Sequence, residues 1–225
     1  MRPPIELFLS PNSGIELIYS FTIILCSLMI YYATREMYKL SSYKGIKYFR
    51  QAFLFFAIAY FFRYSIKFLL IFFNTKRIIE LSPAFIGFVS LFVFLYSSSM
   101  AIFYLVYSIM WKKWKSSKLA IILFNILAIT ISFVGTFLMG FRISILLGLV
   151  LLTAASILPL KDYKKGNKKK NNLFAIYVLL FLFLILNIAD ILIPEFLEFY
   201  QIMIYISSIA IFMTILYKVL KKIGD

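Results

Sequence analysis

The sequence has no histidine and a single cysteine, Cys26, among its 225 residues. Without imidazole, histidine ligation of haem or copper, Ser-His and Cys-His catalysis and the usual zinc sites are excluded. A lone cysteine forms no intramolecular disulfide, and Cys26 lies within an apolar stretch where a free thiol behaves as a small buried side chain. Asp190 beside Lys67 is the one carboxylate within a predicted span that acid–base catalysis could use, and no second catalytic carboxylate or activated nucleophile accompanies it. We therefore expect no enzyme activity, no catalytic residue, no metal and no cofactor.

Acidic residues are also scarce, with 9 Asp and Glu against 24 Lys and Arg, which gives a net charge of +15. A surplus of this size indicates nucleic-acid binding when the cations form a stripe on a soluble fold. Here the cations lie mainly at the ends of apolar stretches, without a folded reader module or a groove of interleaved aromatic residues. We therefore expect no nucleic-acid partner.

Apolar residues are abundant: 63% of the chain is hydrophobic and 20% aromatic, against about 45–50% apolar in soluble domains. Lipid must be the solvent for most of this surface, so the sequence predicts an all-α integral membrane protein, multi-pass in the cell membrane. Its apolar stretches are long enough to cross about 30 Å of hydrocarbon. They predict one domain over residues 1–225, a seven-transmembrane-helix bundle with spans at 15–34, 51–74, 83–110, 119–138, 143–160, 173–193 and 199–219.

The cations predict the orientation of this bundle. Eighteen of the 24 lie on the side of the odd-numbered connections and the C-terminus, and four on the other side. Because cytoplasmic loops carry the excess of Lys and Arg, the N-terminus is expected outside and the C-terminus in the cytoplasm. The segment 35–50 reads as a basic loop that turns near Gly45, with a short amphipathic helix within it as an alternative.

Two further cytoplasmic loops are strongly basic. Their cations anchor the helix ends and set the topology, or they recruit anionic lipids or an acidic cytosolic partner. Self-association into a homo-oligomer through faces of small residues is a further expectation. The cations concerned are Lys112, Lys113, Lys115, Lys164, Lys165, Lys168, Lys169 and Lys170.

The second predicted span is unusual because it carries Arg63 and Lys67. Its many Leu, Ile and Phe residues favour insertion by about 0.3–0.6 kcal/mol each, but each cation costs about 2.5–3.5 kcal/mol. The summed free energy of insertion of this span is close to zero, which indicates that Arg63 and Lys67 have polar partners inside the bundle. Asp190 and Asn187 share a face of the sixth span, and Lys67 and Asp190 fall at compatible depths, so we expect these two to pair.

Two interpretations of these polar residues stay open. In one, Lys67 reaches the outer surface and Arg63 is satisfied within the bundle. In the other, the polar residues line a pocket in the outer half that binds a small, anionic ligand or a lipid headgroup. The candidate ligand-binding residues are Arg63, Lys67, Asp190, Asn187, Tyr60, Tyr96 and Ser99.

In topology the chain resembles rhodopsins, G-protein-coupled receptors, the sensor modules of bacterial kinases and PQ-loop transporters. Their markers are missing: no lysine lies between Ile202 and Tyr217, and no NPxxY or PQ motif occurs. The residues therefore assign no family, because topology alone does not define function. A receptor-like or sensor module is the favoured function, and a small-solute transporter or channel subunit and a structural subunit of a membrane complex are the alternatives.

Overall fold

The computed structural model describes residues 13–65, 83–111, 117–137, 171–192 and 198–224. Within these ranges the regular structure is entirely helical, so the prediction of an all-α membrane protein is confirmed. The predicted span at 143–160 lies outside the described residues, and the count of seven helices stays a prediction. The described helices are α1 (Ser13–Ser41), α2 (Lys44–Tyr60), α3 (Pro83–Met110), α4 (Ser117–Phe137), α5 (Asn171–Leu192) and α6 (Glu198–Gly224).

Four of these helices are long and apolar enough to cross a membrane: their apolar stretches run over Gly14–Ser41, Gly87–Ser108, Lys118–Phe137 and Phe199–Lys221. Helix α5 holds a shorter apolar stretch, Ala175–Asn187. Since a 20-residue helix extends about 30 Å, the chain is a multi-pass membrane protein.

Helix α1 shows how such a helix is built from apolar residues on both of its faces. Ile23 and Ile30, seven residues apart, are fully buried against the rest of the bundle. Leu25, Met29 and Tyr32 on the other face are exposed to at least 44%. A helix that is apolar all round suits a lipid environment, because the outward face has no need of polar side chains.

The segment between the first two helices differs from the predicted basic loop. Residues 35–50 are helical except for Ser42 and Tyr43, so the turn has two residues. Ser42 adopts a left-handed conformation, with φ of 51°, and its N–H donates to the carbonyl oxygen of Tyr38 at 2.8 Å. This bond satisfies a carbonyl at the end of α1 and lets α2 begin immediately, as left-handed helix ends commonly do.

Gly45, expected at the turn, lies within α2, and its role is close packing. A Cβ atom at this position would lie 2.5 Å from Cε1 of Tyr43 and 2.8 Å from the carbonyl oxygen of Ser108. A glycine here therefore allows the backbone of α2 to approach α3, which any larger residue would prevent.

Helix α2 packs between α1 and α3, α4 lies against α3, and α6 packs against both α1 and α5. An aromatic cluster fills the space where α2, α5 and α6 meet. Phe183 and Phe212 lie 4.5 Å apart between ring centres, and Phe56 lies 6.2 Å from each. Because lipid is as apolar as these side chains, ring packing and polar contacts hold the helices together more than exclusion of water does.

Candidate functional site

Arg63 lies in a short π-helical segment, Phe61–Ser65, that continues α2. The N–H of Phe61 is shared between the carbonyl oxygens of Ala57 and Ile58 at the end of α2. A π turn holds one more residue than an α turn, so it rotates the residues that follow relative to the rest of the helix. In this way Arg63 faces α5 within the bundle.

The Arg63 guanidinium contacts two side chains of α5. Its Nη2 lies 3.0 Å from Oδ2 of Asp190 and forms an ion pair. Its Nη1 donates to Oδ1 of Asn187 at 3.1 Å. Asn187 and Asp190 are three residues apart and therefore share one face of the helix. The planar guanidinium, with its donors in a fixed fork, is suited to binding both at once.

Asn187 also connects this ion pair to Tyr60 of α2, one helix turn before Arg63. Its Oδ1 also accepts a hydrogen bond of 2.6 Å from the hydroxyl of Tyr60. Its Nδ2 donates to the carbonyl oxygen of Phe183 at 2.9 Å, which fixes the orientation of the amide. The side chain is buried, and its oxygen and nitrogen are both bonded, as a buried amide requires.

Tyrosines extend the network to α1 and α6. The hydroxyls of Tyr19 and Tyr60 lie 3.1 Å apart. The Tyr19 ring stacks on Tyr205 with 4.6 Å between ring centres, and Tyr205 interacts with Asp190. The polar cluster therefore draws on four helices and the π segment. It comprises Tyr19, Tyr60, Arg63, Asn187, Asp190 and Tyr205.

The charges of the cluster are largely shielded from solvent. The side chains of Arg63 and Asp190 are 15% and 8% exposed. The guanidinium carbon of Arg63 also lies 5.5 Å from the centre of the Phe94 ring, on α3. An arginine at mid-membrane costs several kcal/mol when it is alone, so the carboxylate, the amide and the ring face together make its burial tolerable.

A small cavity of about 20 Å³ adjoins the cluster between α2, α3 and α5. This is room for about one water molecule. Its wall is almost entirely apolar, and the residues that line it include Phe56, Phe94 and Phe183 beside Tyr60 and Asn187. The space is too small for a ligand larger than a water molecule unless side chains move.

The structure brings four of the predicted site residues into one network, namely Tyr60, Arg63, Asn187 and Asp190. Lys67 lies outside the described residues, so its expected pairing with Asp190 stays untested. The Asp190 carboxylate is held by Arg63, which lies one turn earlier than the expected partner.

Tyr96 and Ser99 lie apart from these contacts. The Tyr96 hydroxyl donates to Oδ1 of Asn125 at 2.7 Å and links α3 to α4. Ser99 is buried in α3, and its hydroxyl has no hydrogen-bond partner among the residues described. Neither residue has a hydrogen bond to the polar cluster in the described contacts.

Sequence reasoning missed Tyr19, Tyr205 and Phe94. Each lies in an apolar stretch rich in aromatic residues, where nothing in the sequence distinguishes it from a lipid-facing neighbour. In the described ranges no group of three side chains that commonly bind metals occurs. The chemical groups of the cluster that a ligand could contact are a guanidinium, a carboxylate, an amide and phenol hydroxyls.

No protein-family model and no solved structure matches the chain. An uncharacterised protein of Archaeoglobus fulgidus is 33% identical to it, and the alignment covers 98% of this chain and 96% of that protein. The similarity therefore extends over all the predicted spans and the connections between them. At this identity and coverage, the chain belongs to the same family as the uncharacterised Archaeoglobus fulgidus protein.

Proposed function

We propose that this multi-pass membrane protein is a receptor-like module in which Arg63 binds a small anionic ligand from the outer side. The observation that supports this most is the Arg63–Asp190 ion pair, which is buried between helices but leaves the arginine side chain 15% exposed. A carboxylate of the protein already occupies the guanidinium, and this indicates the chemistry of a competing ligand. A small carboxylate or phosphate presents the same oxygens.

The network offers a route from ligand binding to helix movement. An anion that takes the place of Asp190 on Arg63 releases α5 from one of its contacts with the π segment. Asn187 and Tyr60 would carry this change to Tyr19 on α1. Coupling between such sites is typically worth about 1–3 kcal/mol, enough to change the populations of two arrangements.

The orientation predicted from the cations gives this coupling a direction. The cluster would lie in the outer half of the membrane, and the basic connections would face the cytoplasm. Anionic lipids or an acidic cytosolic partner at those connections would receive the signal. The basic connections at 112–115 and 164–170 lie outside the described residues, so this part of the proposal depends on the sequence.

Binding is tested with sodium acetate and sodium phosphate, titrated against sodium chloride at equal ionic strength. The purified protein is followed by thermal unfolding, because a ligand of the folded state raises the unfolding temperature. In Asp190→Asn the competing carboxylate is gone, and we expect acetate to bind at least tenfold more tightly than to the unchanged protein. In Arg63→Gln the anion effect should disappear.

The control is Tyr96→Phe, which removes the α3–α4 hydrogen bond to Asn125 away from the cluster. Its anion response should equal that of the unchanged protein. If neither anion shifts unfolding in any variant, Arg63 is not a ligand site and the cluster has a structural role.

A small-solute transporter is the second candidate. It is favoured by the π segment, a common feature of functional sites in helices, and by the water-sized cavity beside Tyr60 and Asn187. Uptake of labelled acetate into proteoliposomes separates the two functions. A receptor binds acetate without flux, whereas a transporter gives a flux that is lost in Arg63→Gln.

A further inference from the structure

Arg50 lies in α2, six residues after its start at Lys44 and about 9 Å along the helix axis. Its guanidinium carbon lies 5.1 Å from the ring centre of Tyr31 and 6.0 Å from that of Tyr38. These tyrosines are seven residues apart on α1 and therefore lie on one face of it. The rings hold the guanidinium at the boundary between α1 and α2.

Among the described residues, no acidic side chain holds Arg50 in the way that Asp190 holds Arg63. In the part of the chain that the structure describes, Arg50 forms no ion pair. Its Nε is buried and has no hydrogen-bond partner among these residues. A buried donor of a charged group normally has a partner, so a missing acceptor at this position calls for an explanation.

Two more cations flank Arg50. Arg35 lies four residues after Tyr31, on the α1 face that carries the two rings, and Lys47 lies one helix turn before Arg50 in α2. Both are exposed. Helix geometry therefore gathers three cations around one place where α1 meets α2, and such a cluster attracts an anion.

The surface of α1 places this cluster at the depth of lipid headgroups. Met29 and Tyr32, which precede it, are exposed to 50% and 60% as lipid-facing residues are. Arg35 and Lys39, which follow, are exposed and charged. The change from apolar to cationic surface within two helix turns marks the border between hydrocarbon and headgroups.

We infer that Arg50, Arg35 and Lys47 form a binding site for the phosphodiester of an anionic lipid headgroup. The phosphate pairs with the charge of the guanidinium, for which the described residues supply no carboxylate, and the acyl chains lie along the exposed apolar face of α1 beside Met29. The Tyr31 and Tyr38 rings hold Arg50 in place before the lipid binds, so little side-chain entropy is lost on binding. This site is separate from the polar cluster and from the basic connections.

The experiment uses native mass spectrometry of the purified full chain after incubation with phosphatidylglycerol or phosphatidylcholine. The unchanged protein should retain phosphatidylglycerol in preference. Each cation near a membrane surface is worth about a fivefold change in affinity for an anionic lipid. We therefore expect at least a fivefold loss of retained phosphatidylglycerol in Arg50→Gln and about fivefold in Arg35→Gln.

Lys118→Gln is the matched control because it removes the same charge from an exposed residue near the start of α4, a helix that packs against α3. It should retain phosphatidylglycerol like the unchanged protein. Arg35 is exposed, so its variant tests the site even if Arg50→Gln folds poorly. Equal losses in Arg35→Gln and Lys118→Gln would indicate diffuse attraction and overturn the site, as would unchanged retention in both arginine variants.

A free oxyanion such as phosphate would bind to the same cations. A competition experiment distinguishes a lipid site from a site for a soluble anion. Inorganic phosphate is added at the ionic strength of a sodium chloride control. If the site binds a lipid, the two salts lower phosphatidylglycerol retention equally. Selective displacement by phosphate would overturn the lipid assignment and identify the site as one for a soluble phosphate.

Discussion

Helix α2 and the π segment that continues it carry two arginines, Arg50 and Arg63, whose surroundings differ. Arg63 lies inside the bundle and contacts Asp190, Asn187 and the face of Phe94. Arg50 lies near the α1–α2 turn against tyrosine rings and forms no ion pair among the described residues.

The depth of each arginine explains the difference. Inside the bundle, where headgroups do not reach, a guanidinium needs an anionic partner, which the protein itself supplies in the absence of a ligand, since an unpaired charge there costs several kcal/mol. Near the headgroups, water and lipid phosphates supply acceptors, and the protein has only to hold the side chain in place. An arginine within the bundle thus has an internal partner that a ligand must displace, whereas one at its edge takes an external partner directly.

The largest expected effect tests the internal pair. Arg63→Gln alone leaves the Asp190 carboxylate buried without its cation and should lower the free energy of unfolding by about 3–5 kcal/mol. The double variant Arg63→Gln with Asp190→Asn removes both charges and should recover most of this loss. The free energy of unfolding of each variant is measured in mixed micelles that contain a denaturing detergent. Additive losses in the double variant would contradict a direct pair.

A second change tests the packing at the start of α2, the end of the helix near which Arg50 lies. In Gly45→Ala the new Cβ would lie 2.8 Å from the carbonyl oxygen of Ser108. The helices must move apart, so we expect a loss of about 1–3 kcal/mol in the same unfolding assay. Gly14→Ala is the control, because no atom lies within 4 Å of the added Cβ. A Gly45→Ala variant as stable as this control would show that α2 and α3 separate without cost.

The smallest effect should come from Arg50. Arg50→Gln removes a contact with aromatic rings worth about 0.5–1 kcal/mol and leaves no buried charge behind. Its free energy of unfolding in lipid-free detergent should therefore lie close to that of Lys118→Gln. A loss as large as that of Arg63→Gln would mean that Arg50 has a structural partner, and the contrast between the two arginines would fail.

Much of the helical architecture followed from the sequence because apolar stretches of membrane length have few alternatives to a helix. The predicted span 83–110 and helix α3, Pro83–Met110, have the same bounds. The segment 35–50 resembles a loop in sequence because of its cations and Gly45, and a short helix was only the alternative; the structure has two long helices there. In fact the cations project from helix ends, and Gly45 serves the packing of α2 on α3.

The candidate site was predicted in part. Arg63, Asn187 and Asp190 were recognisable because polar and charged residues are conspicuous in apolar stretches. Tyr19 and Tyr205 were not, since a phenol that donates to a buried network looks the same in sequence as one that faces lipid. Tyr96 was distinct enough to be named, but its partner is Asn125, on a different helix pair.

The sequence by itself determined that the chain is helical and membrane-embedded and that its apolar interior holds charges, because hydropathy and residue charge are properties of the chain alone. The tertiary structure decided which charges meet. The π segment rotates Arg63 towards α5 and thereby gives it Asp190 and Asn187, whereas the short α1–α2 turn brings Arg50 against Tyr31. Such pairings depend on how helices distant in sequence rotate and pack, and a single-chain pattern carries little information about that.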